Sequence, residues 1–456
     1  MATSSNNAQP ATNGSEPRNA LTHSPPILDS SPNKEPLVEN FRTLRVVVIG
    51  AGFSGIYLNI RIPELLRNVD LVTYEREAGI GGTWWINRYP GCGCDIPAHS
   101  YVYSFELNLD WSKFYASATE IQAYLQRVVD KYSAARRIKL KHEHVGTIQQ
   151  DKAKRQIDTA EERRRFTENK DEYHAFRKVI ETEGNSMYPV TIAGSEMSLG
   201  AQEHFKKLMQ IRLVKKPGLA KFLIPSFPPG CRRLTPGPGF LESLVENNVD
   251  VVTTYIRKVL PSGVQLVDGT TIELDMLVCA TGFSFAAAPD YPFVGSKGMD
   301  LKERYKDYPE AYLSMAVDGF PNFFMMLGPN TAVGAGSATK ILECQGDYIV
   351  KCIRKIQKEN IGSMEISPRA MNDWIRHING YFKRTVFLAD CKSWYRRNDR
   401  IIGIWPGSTC HAIETMRSPR WEDFSYTFAD ESLEHNRLGW LGNGLTDIEQ
   451  NGGDNS

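Results

Sequence analysis

The sequence has a single glycine-rich turn of the kind that binds a dinucleotide. Gly50, Gly52 and Gly55 form the pattern Gly-x-Gly-x-x-Gly directly after an apolar run, and nowhere else in the 456 residues does such a run lead into another copy. Each bound dinucleotide needs a turn of this kind at the start of its own helix. A second dinucleotide site is therefore incomplete in this chain.

Three other features are scarce in the sequence: net charge, long apolar runs and clustered cysteines. A formal net charge of +1 gives no field suited to nucleic acid or to an anionic membrane. No apolar run approaches the about 20 residues of a membrane-spanning helix. The eight cysteines are scattered over a long chain, so we expect no disulfide framework. The Cys92-x-Cys94 spacing lacks the second ligand pair of a zinc site, so we expect no metal.

The remaining composition fits a globular protein. Hydrophobic residues make up 41% and aromatic residues 10% of a chain long enough for two or three domains. Residues 1–40 are rich in Ser, Asn, Pro and Ala and lack the basic start and apolar core of a secretory signal. We therefore expect a disordered N-terminal segment and a reducing, cytoplasmic setting.

The glycine-rich turn has the flanking elements that a nucleotide site needs. The run Val46–Ile49 is continuously apolar, as expected of a strand that is buried on both faces. Gly50 permits the tight turn, Gly52 lets the backbone approach a pyrophosphate, and Gly55 lets the next helix pack close to the strand. The N-terminus of that helix directs free N–H groups and the positive end of its dipole at the phosphates.

An acidic residue at the right distance strengthens this interpretation. A second apolar run, Leu71–Tyr74, ends at Glu75, which lies about 20 residues after Gly55. A carboxylate at that place accepts hydrogen bonds from a ribose. The alternative is a glycine-rich turn in an unrelated α/β protein, but strand, glycines, helix and acid together favour the dinucleotide site.

Sequence blocks beyond the turn resemble one enzyme family. They are GGTWW (Gly81–Trp85), NRYPG (Asn87–Gly91), CDIP (Cys94–Pro97), FPPGCRRLTPGPGFLESL (Phe227–Leu244), ELDMLVCATGF (Glu273–Phe283), GFPNFFMMLGPN (Gly319–Asn330), SWY (Ser393–Tyr395), IWPGS (Ile404–Ser408) and PRWED (Pro419–Asp423). They extend over roughly residues 41–147 and 162–430. They closely resemble the FAD-dependent Baeyer–Villiger monooxygenases, and more narrowly the fungal enzymes that process polyketides and meroterpenoids.

The resemblance implies a fold class, two cofactors and a reaction. The implied fold is α/β, a Rossmann-like two-dinucleotide-binding flavoprotein with an FAD domain, a truncated NADPH domain and a helical insert. Members of the family use FAD, NADPH and O₂ to insert oxygen next to the carbonyl of a ketone, which gives an ester or lactone. The implied substrate is a small-molecule, polyketide-like ketone, and we expect neither a nucleic acid partner nor a membrane span.

The resemblance also assigns roles to individual residues. Besides Gly50, Gly52, Gly55 and Glu75 at the ADP half, the implied flavin contacts are Thr83, Trp84, Trp85, Ile86, Gly93, Cys94, Asp95, Ile96 and Tyr101. Arg233 is the implied catalytic residue, and Asp95 is the acid that holds it near the flavin. A developing oxyanion needs a fixed cation, and arginine offers a permanent charge on a rigid fork. Without the matched block, Arg233 would be interpreted as a surface arginine.

The middle of the chain departs from the family pattern. Lys139–Gln150 runs directly into a charged stretch of helical character, where the family has its second glycine motif. The missing piece is most of one mononucleotide-binding half, about a hundred residues or more at ordinary domain sizes. We expect the rest of that domain to form buried strands at 249–253 and 276–280 and a hairpin at 265–274. Gly334 and Gly336 precede a predicted helix start capped near Ser337 or Thr339.

These assignments predict a domain organisation. It comprises a disordered N-terminal segment (1–40), the first part of the FAD-binding domain (41–150), a helical insert (151–225), a remnant of the NADPH-binding domain (226–285), the second part of the FAD-binding domain (286–430) and a flexible tail (431–456). The run Glu161–Lys170 is expected to be a solvated helix face. The gap indicates either a divergent family member or a gene model that lacks a coding segment.

Three functions compete at this point. The first is a Baeyer–Villiger monooxygenase acting on a bulky, polyketide-like ketone. The second is an FAD-binding protein without efficient NADPH-driven turnover, which would be oxidase-like, reduced by a partner, or non-catalytic. The third is a flavin N- or S-monooxygenase. The blocks around Asp95 and Arg233 favour the first over the third, whereas the missing glycine motif favours the second over the first. Trp394 resembles an active-site loop residue of the family, with simple packing as an equal alternative.

Overall fold

The computed structural model describes residues 37–39, 41–142, 160–235, 237, 239–282, 288–289, 291–429 and 438–451. Its helices are α1 Phe53–Leu65, α2 Thr83–Ile86, α3 Ala118–Lys131, α4 Ala160–Glu168, α5 Lys170–Ser186, α6 Glu196–Arg212, α7 Ala220–Leu223, α8 Phe240–Leu244, α9 Leu301–Arg304, α10 Ala338–Lys358, α11 Pro368–Phe382, α12 Thr409–Met416 and α13 Asp447–Asn451. Its strands are β1 Leu44–Ile49, β2 Val69–Tyr74, β3 Ile138–Lys139, β4 Ile256–Leu260, β5 Gly263–Leu266, β6 Thr271–Glu273, β7 Ile361–Ile366, β8 Arg396–Arg397, β9 Arg400–Ile401 and β10 Phe424–Phe428.

The chain divides into two units. One combines residues 1–39 with 440–456, where Val38 N donates a hydrogen bond to Leu445 O at 3.3 Å. The other, residues 40–439, holds the remaining elements and the sequence blocks described above. Within the described residues, no helix combines the length and hydropathy that a transmembrane segment requires. Of the predicted disordered segment only 37–39 are described, whereas the described part of the predicted flexible tail, 438–451, includes α13.

A parallel sheet carries the glycine-rich turn. β1 pairs with β2 in register from Leu44 opposite Val69 to Ile49 opposite Tyr74, and β2 pairs with β3, giving the order β1-β2-β3. Between β1 and β2 the chain forms α1, so the predicted strand–turn–helix–strand unit is confirmed. A Cβ at Gly55 would lie 1.9 Å from the Gly50 carbonyl oxygen, so only glycine allows this approach of α1 to the turn.

One face of β1 is open, which contradicts the expected burial on both faces. Val47 is 50% and Ile49 63% exposed. The strand lines a cleft of about 860 Å³, together with apolar side chains such as Leu58, Phe293 and Phe324. Among the described residues, no further strand pairs with the outer edge of β1. A strand becomes buried on both faces only when elements cover both sides of its sheet, and here one cover is missing.

A second small sheet lies in the segment predicted to be a remnant of the NADPH-binding domain. β4, β5 and β6 pair antiparallel, and Gly269 adopts φ +93° in the tight turn between β5 and β6, which confirms the predicted hairpin. The strands predicted at 249–253 and 276–280 are wrong: both segments lack strand structure, and Met276 and Val278 are 78% and 77% exposed. A buried strand needs elements that pair with it and cover it, and in the described ranges neither segment pairs with another strand.

A long helix joins the first part of the chain to the last. Ser337 caps α10 by accepting a hydrogen bond from Lys340 N, which confirms the predicted helix start after Gly336. Gly346 on this helix faces α1, where a Cβ would lie 2.4 Å from the Tyr57 ring. The Tyr57 hydroxyl donates to Asp347 at 2.8 Å. α10 thereby holds the segments after residue 300 against the dinucleotide unit, within one core that also includes β7 and α11.

The helical insert packs on the loop after α2 through a buried polar contact. Arg177 Nε on α5 donates to His99 O at 2.8 Å, and the Tyr173 hydroxyl donates to Asn108 O at 3.0 Å. The charged side chains of α4 face solvent as expected, but Phe166 is buried and lies 4.9 Å from the Phe176 ring. Helices α4, α5 and α6 therefore occupy the predicted insert, whereas its boundaries stay a prediction.

We expect Gly55→Ala to lower the free energy of unfolding by about 1–3 kcal/mol, because its Cβ would overlap backbone atoms that hold the turn. Gly200→Ala in α6 is the matched control, since no atom lies within 4 Å of its Cβ, and it should stabilise the protein by about 0.5–1 kcal/mol. Urea unfolding of both variants measures the difference. Equal stability of the two variants would contradict the close approach at Gly55.

Candidate active site

The glycine-rich turn presents an uncapped helix N-terminus. α1 begins after Gly52, and no side chain caps its first turn. Gly82, in a second segment, packs closely against Gly52. A Cβ on Gly82 would lie 3.0 Å from the Gly52 Cα. Gly81 N donates to Ala51 O at 3.0 Å, which fixes the two segments together. Free N–H groups at a helix start beside a crowded glycine pair fit the pyrophosphate of a dinucleotide.

The predicted ribose-binding acid, Glu75, is in direct contact with this turn. Glu75 is only 4% exposed and follows the last residue of β2. Its carboxylate accepts hydrogen bonds from Ala51 N at 2.6 Å and from Glu77 N at 2.9 Å. The structure therefore brings Glu75 to the glycine-rich turn, as the sequence predicted, and shows that the acid also supports the backbone of that turn.

Two of the predicted flavin contacts, Trp84 and Tyr101, belong to an aromatic group beside the turn. The Trp84 and Tyr101 rings are 5.7 Å apart, and Tyr101 lies 5.0 Å from the Phe53 ring at the start of α1. Trp85 packs over Gly79, with the Arg88 guanidinium 4.0 Å from its ring centroid. Thr83 and Ile86, on the same short helix, are exposed.

The predicted contacts between Gly93 and Ile96 form a strand-like segment against residues 116–117. Gly93 bridges Ser117, and Cys94 N donates to Ala116 O at 2.9 Å. Ile96 packs against the core below the aromatic group. Burial raises the pKa of the Cys94 thiol to about 12, so the thiol stays neutral and is a packing group rather than a nucleophile.

Arg233 and Asp95 form a two-pronged ion pair across 138 residues of sequence. Arg233 Nη2 donates to Asp95 Oδ1 at 2.8 Å, and Arg233 Nε donates to Asp95 Oδ2. The side chains are 41% and 32% exposed, so the pair is open to solvent on one side. The hydrogen bond that Arg233 donates to Asp95 is the main cause that raises the pKa of Arg233, which therefore stays charged at every working pH.

Two tyrosines lie close enough to this ion pair to feel its charge. Burial raises the pKa of Tyr101 and of Tyr395, and in both cases the charge of Arg233 opposes the rise. Tyr395 is 4% exposed, and Trp394 beside it is 46% exposed with 4.6 Å between the ring centroids. Tyr395 was not among the predicted site residues, although the SWY block that contains it was a usable signal.

One cysteine pair departs from the sequence expectation. Cys231 and Cys391, which are 160 residues apart, form a disulfide. The other six cysteines are free thiols. No spacing rule predicts a pair this distant, because only the fold brings the two segments together.

Comparisons with known proteins agree with this geometry. Residues 48–118 match the family described as an NAD(P)-binding Rossmann-like domain. The chain is 28% identical over 530 aligned positions to the FAD-binding monooxygenase stcW of Emericella nidulans, covering 91% of this chain and 87% of the relative. It is 25% identical to a Baeyer-Villiger monooxygenase of Pseudomonas aeruginosa, covering 81% of this chain and 88% of the relative.

The fold is similar to that of a solved monooxygenase. Cyclohexanone monooxygenase from Rhodococcus sp. Phi1, bound to NADP+, superposes with a TM-score of 0.69 at 20% identity, covering 85% of this chain and 100% of that chain. These similarities confirm the predicted Rossmann-like α/β fold and the predicted resemblance to fungal FAD-binding monooxygenases. The cofactors named for these proteins are FAD for stcW and NADP+ for the cyclohexanone monooxygenase.

The alignment with stcW is longer than the part of this chain that it contains. Because 91% of 456 residues is about 415 residues, about 115 of the 530 aligned positions hold no residue of this chain.

We expect Cys94 to resist alkylation by iodoacetamide at pH 8, whereas the exposed Cys279 and Cys410 react readily. With a pKa of about 12, only about one Cys94 thiol in 10⁴ is ionised at that pH, and the thiolate is the reacting form. Peptide mass spectrometry gives the rates, with urea-unfolded protein as the control in which Cys94 should react. Equal rates for Cys94 and Cys279 in the folded protein would refute the assigned burial.

Proposed function

We propose that the chain is an FAD-dependent monooxygenase of the Baeyer–Villiger type, which inserts an oxygen atom next to the carbonyl of a bulky, polyketide-like ketone. The observation that carries the proposal is the Arg233–Asp95 pair, a permanent cation held beside the aromatic group of Trp84 and Tyr101. The names of the relatives support the proposal at the level of an FAD-binding monooxygenase.

The residues present fit FAD. The uncapped start of α1 would hold the pyrophosphate, Glu75 the ribose, and the segment from Thr83 to Tyr101 the flavin ring. When bound and reduced, FAD supplies the electrons that activate O₂. In this assignment the FAD-binding domain comprises residues 41–150 and 286–430.

Arg233 would act by holding negative charge as it develops on the reacting oxygen. Asp95 engages Nε and Nη2, while Nη1 has no hydrogen bond to any residue in the described part of the chain. The free Nη1 donors can therefore face a substrate oxygen while Asp95 keeps the guanidinium plane in place. A preorganised donor of this kind stabilises charge without reorganising during the reaction.

The residues present do not fit NADPH in the same way. In the described ranges, the only strand that leads through a glycine-rich turn into a helix of full length is β1, and α1 is already assigned to FAD. The remnant sheet of β4, β5 and β6 offers a hairpin but no helix N-terminus for a second pyrophosphate. This observation favours the second candidate, an FAD-binding protein that is oxidase-like, reduced by a partner, or non-catalytic.

We expect Arg233→Ala to lower ester or lactone formation from a ketone by about 10²–10³-fold, because one preorganised donor contributes that much. FAD should stay bound, since Arg233 lies outside the glycine-rich turn. Supplying chemically reduced flavin in the assay removes any dependence on NADPH. Arg233→Lys should recover little, because a point charge does not replace the fork.

The matched control for this experiment is Arg212→Ala. Arg212 pairs with Glu242 through Nε and Nη2 in the same two-pronged manner, outside the candidate site. The Arg212→Ala substitution should leave ester formation unchanged. If Arg233→Ala keeps near wild-type oxygenation, the assignment of the catalytic cation is wrong.

We expect NADPH to reduce the bound flavin slowly and without saturation at micromolar concentrations, because the N–H donors of a second helix start are missing. Stopped-flow absorbance of the flavin band measures this rate, with dithionite as the control that shows the flavin is reducible. Rapid reduction that saturates at micromolar NADPH would mean that the chain forms an NADPH site by another route.

A further inference from the structure

Arg233 lies in a segment without regular structure of its own. Between the end of α7 at Leu223 and the start of α8 at Phe240, the residues that the structure describes form no helix and no strand. Backbone pairing therefore does not fix the position of Arg233. Its placement beside Asp95 depends on links from this segment to other parts of the fold.

Two adjacent links join this segment to the chain just before β8. Cys231 and Cys391 form a disulfide with 6.5 Å between their Cα atoms, and both side chains are buried. Next to it, Arg232 Nε donates to Lys392 O. The two links join Cys231 and Arg232 to Cys391 and Lys392. Arg233 is the next residue after the linked pair.

The segment that receives these links is itself held in place. Cys391 N donates to Ala389 O at 2.8 Å, and Arg396 Nη1 donates to the same carbonyl at 3.3 Å. Tyr395, which lies near Arg233, is buried against the Phe387 ring. The disulfide thus ties a segment without secondary structure to a well-packed one, two residues from the guanidinium that has to be positioned.

We propose that the Cys231–Cys391 disulfide is a positioning element for Arg233, and that opening it lowers oxygen transfer by loosening the Arg233–Asp95 pair. This inference rests on the proposed function for its catalytic consequence. A displacement of about 1 Å at a catalytic group can cost about 10²-fold in rate, so a small release of residue 231 is enough to be measured. Because thiols are kept reduced in a reducing compartment, the same link makes the activity sensitive to redox conditions.

The redox step is simple. Two thiols of dithiothreitol supply the electrons and protons: the Cys231–Cys391 S–S bond breaks, two S–H groups form, and the reagent closes to its cyclic disulfide. The protein gains two hydrogens and no other atom. Cys231→Ser with Cys391→Ser gives the open state without a reductant, and Cys279→Ser with Cys410→Ser, both free and exposed, is the matched control.

The first measurement needs no enzymatic activity. Non-reducing peptide mass spectrometry shows whether the disulfide exists, and phenylglyoxal labelling reports how firmly each arginine is held. We expect Arg233 to label at least about tenfold faster in the double serine variant than in the oxidised protein, as a freed guanidinium becomes accessible. Arg212, which Glu242 holds in the same two-pronged manner, should label at the same rate in both.

The second measurement links the disulfide to the reaction through Arg233. With chemically reduced FAD, the double serine variant should form about tenfold less ester and correspondingly more hydrogen peroxide than the parent, at equal FAD occupancy. In an Arg233→Lys background, the same two serine substitutions should have no further effect, because two changes that act through one residue are not additive. A general loss of folding would lower the yield in both backgrounds.

Each outcome decides the proposal. The proposal is supported if the serine substitutions speed the labelling of Arg233 and lower the ester yield only in the protein that retains Arg233. Two free thiols in the oxidised protein, unchanged labelling, or equal losses in both backgrounds overturn it. If the oxidised parent binds FAD but oxidises no ketone, the proposed function fails separately, and unchanged labelling of Arg233 would still refute the positioning role.

Discussion

The hydrogen bonds of the buried Glu75 carboxylate hold the centre of the structure together. This side chain joins the end of β2 to the turn after β1, while Gly50 N donates to Tyr74 O at 2.8 Å across the same junction. The position of the glycine-rich turn sets where α1 begins. α10 packs against α1 through Gly346 on α10 and Tyr57 on α1. Removing the carboxylate would leave a buried N–H unpaired, which costs about 1–3 kcal/mol.

Apolar side chains are exposed in two places where the sequence predicts buried strands. Val47 and Ile49 border a cleft of about 860 Å³, and Met276 and Val278 lie exposed in a segment that the sequence predicts to be a buried strand. Apolar side chains that expose half or more of their surface next to a cleft are the expected result when covering elements are absent.

How much the sequence predicts depends on whether a feature is local. The strand, turn and helix around Gly55, the hairpin at Gly269 and the cap at Ser337 follow from short patterns, and all three appear in the structure. The prediction that β1 is buried on both faces was wrong, because burial depends on elements distant in sequence. In the part of the chain that the structure describes, no element covers the second face of β1. The disulfide between Cys231 and Cys391 was missed for the same reason, since only tertiary packing brings the cysteines together.

The candidate site combines residues from three distant parts of the chain, namely Asp95, Arg233 and Tyr395, around a cation that stays charged. The most direct test of oxygen insertion is mass spectrometry of the product formed under ¹⁸O₂ from a bulky cyclic ketone by the FAD-loaded protein, with chemically reduced flavin. Incorporation of one ¹⁸O atom as the new ring oxygen of a lactone is the predicted result. A protein that binds FAD and consumes O₂, yet releases only hydrogen peroxide and no labelled lactone from any ketone offered, would contradict it.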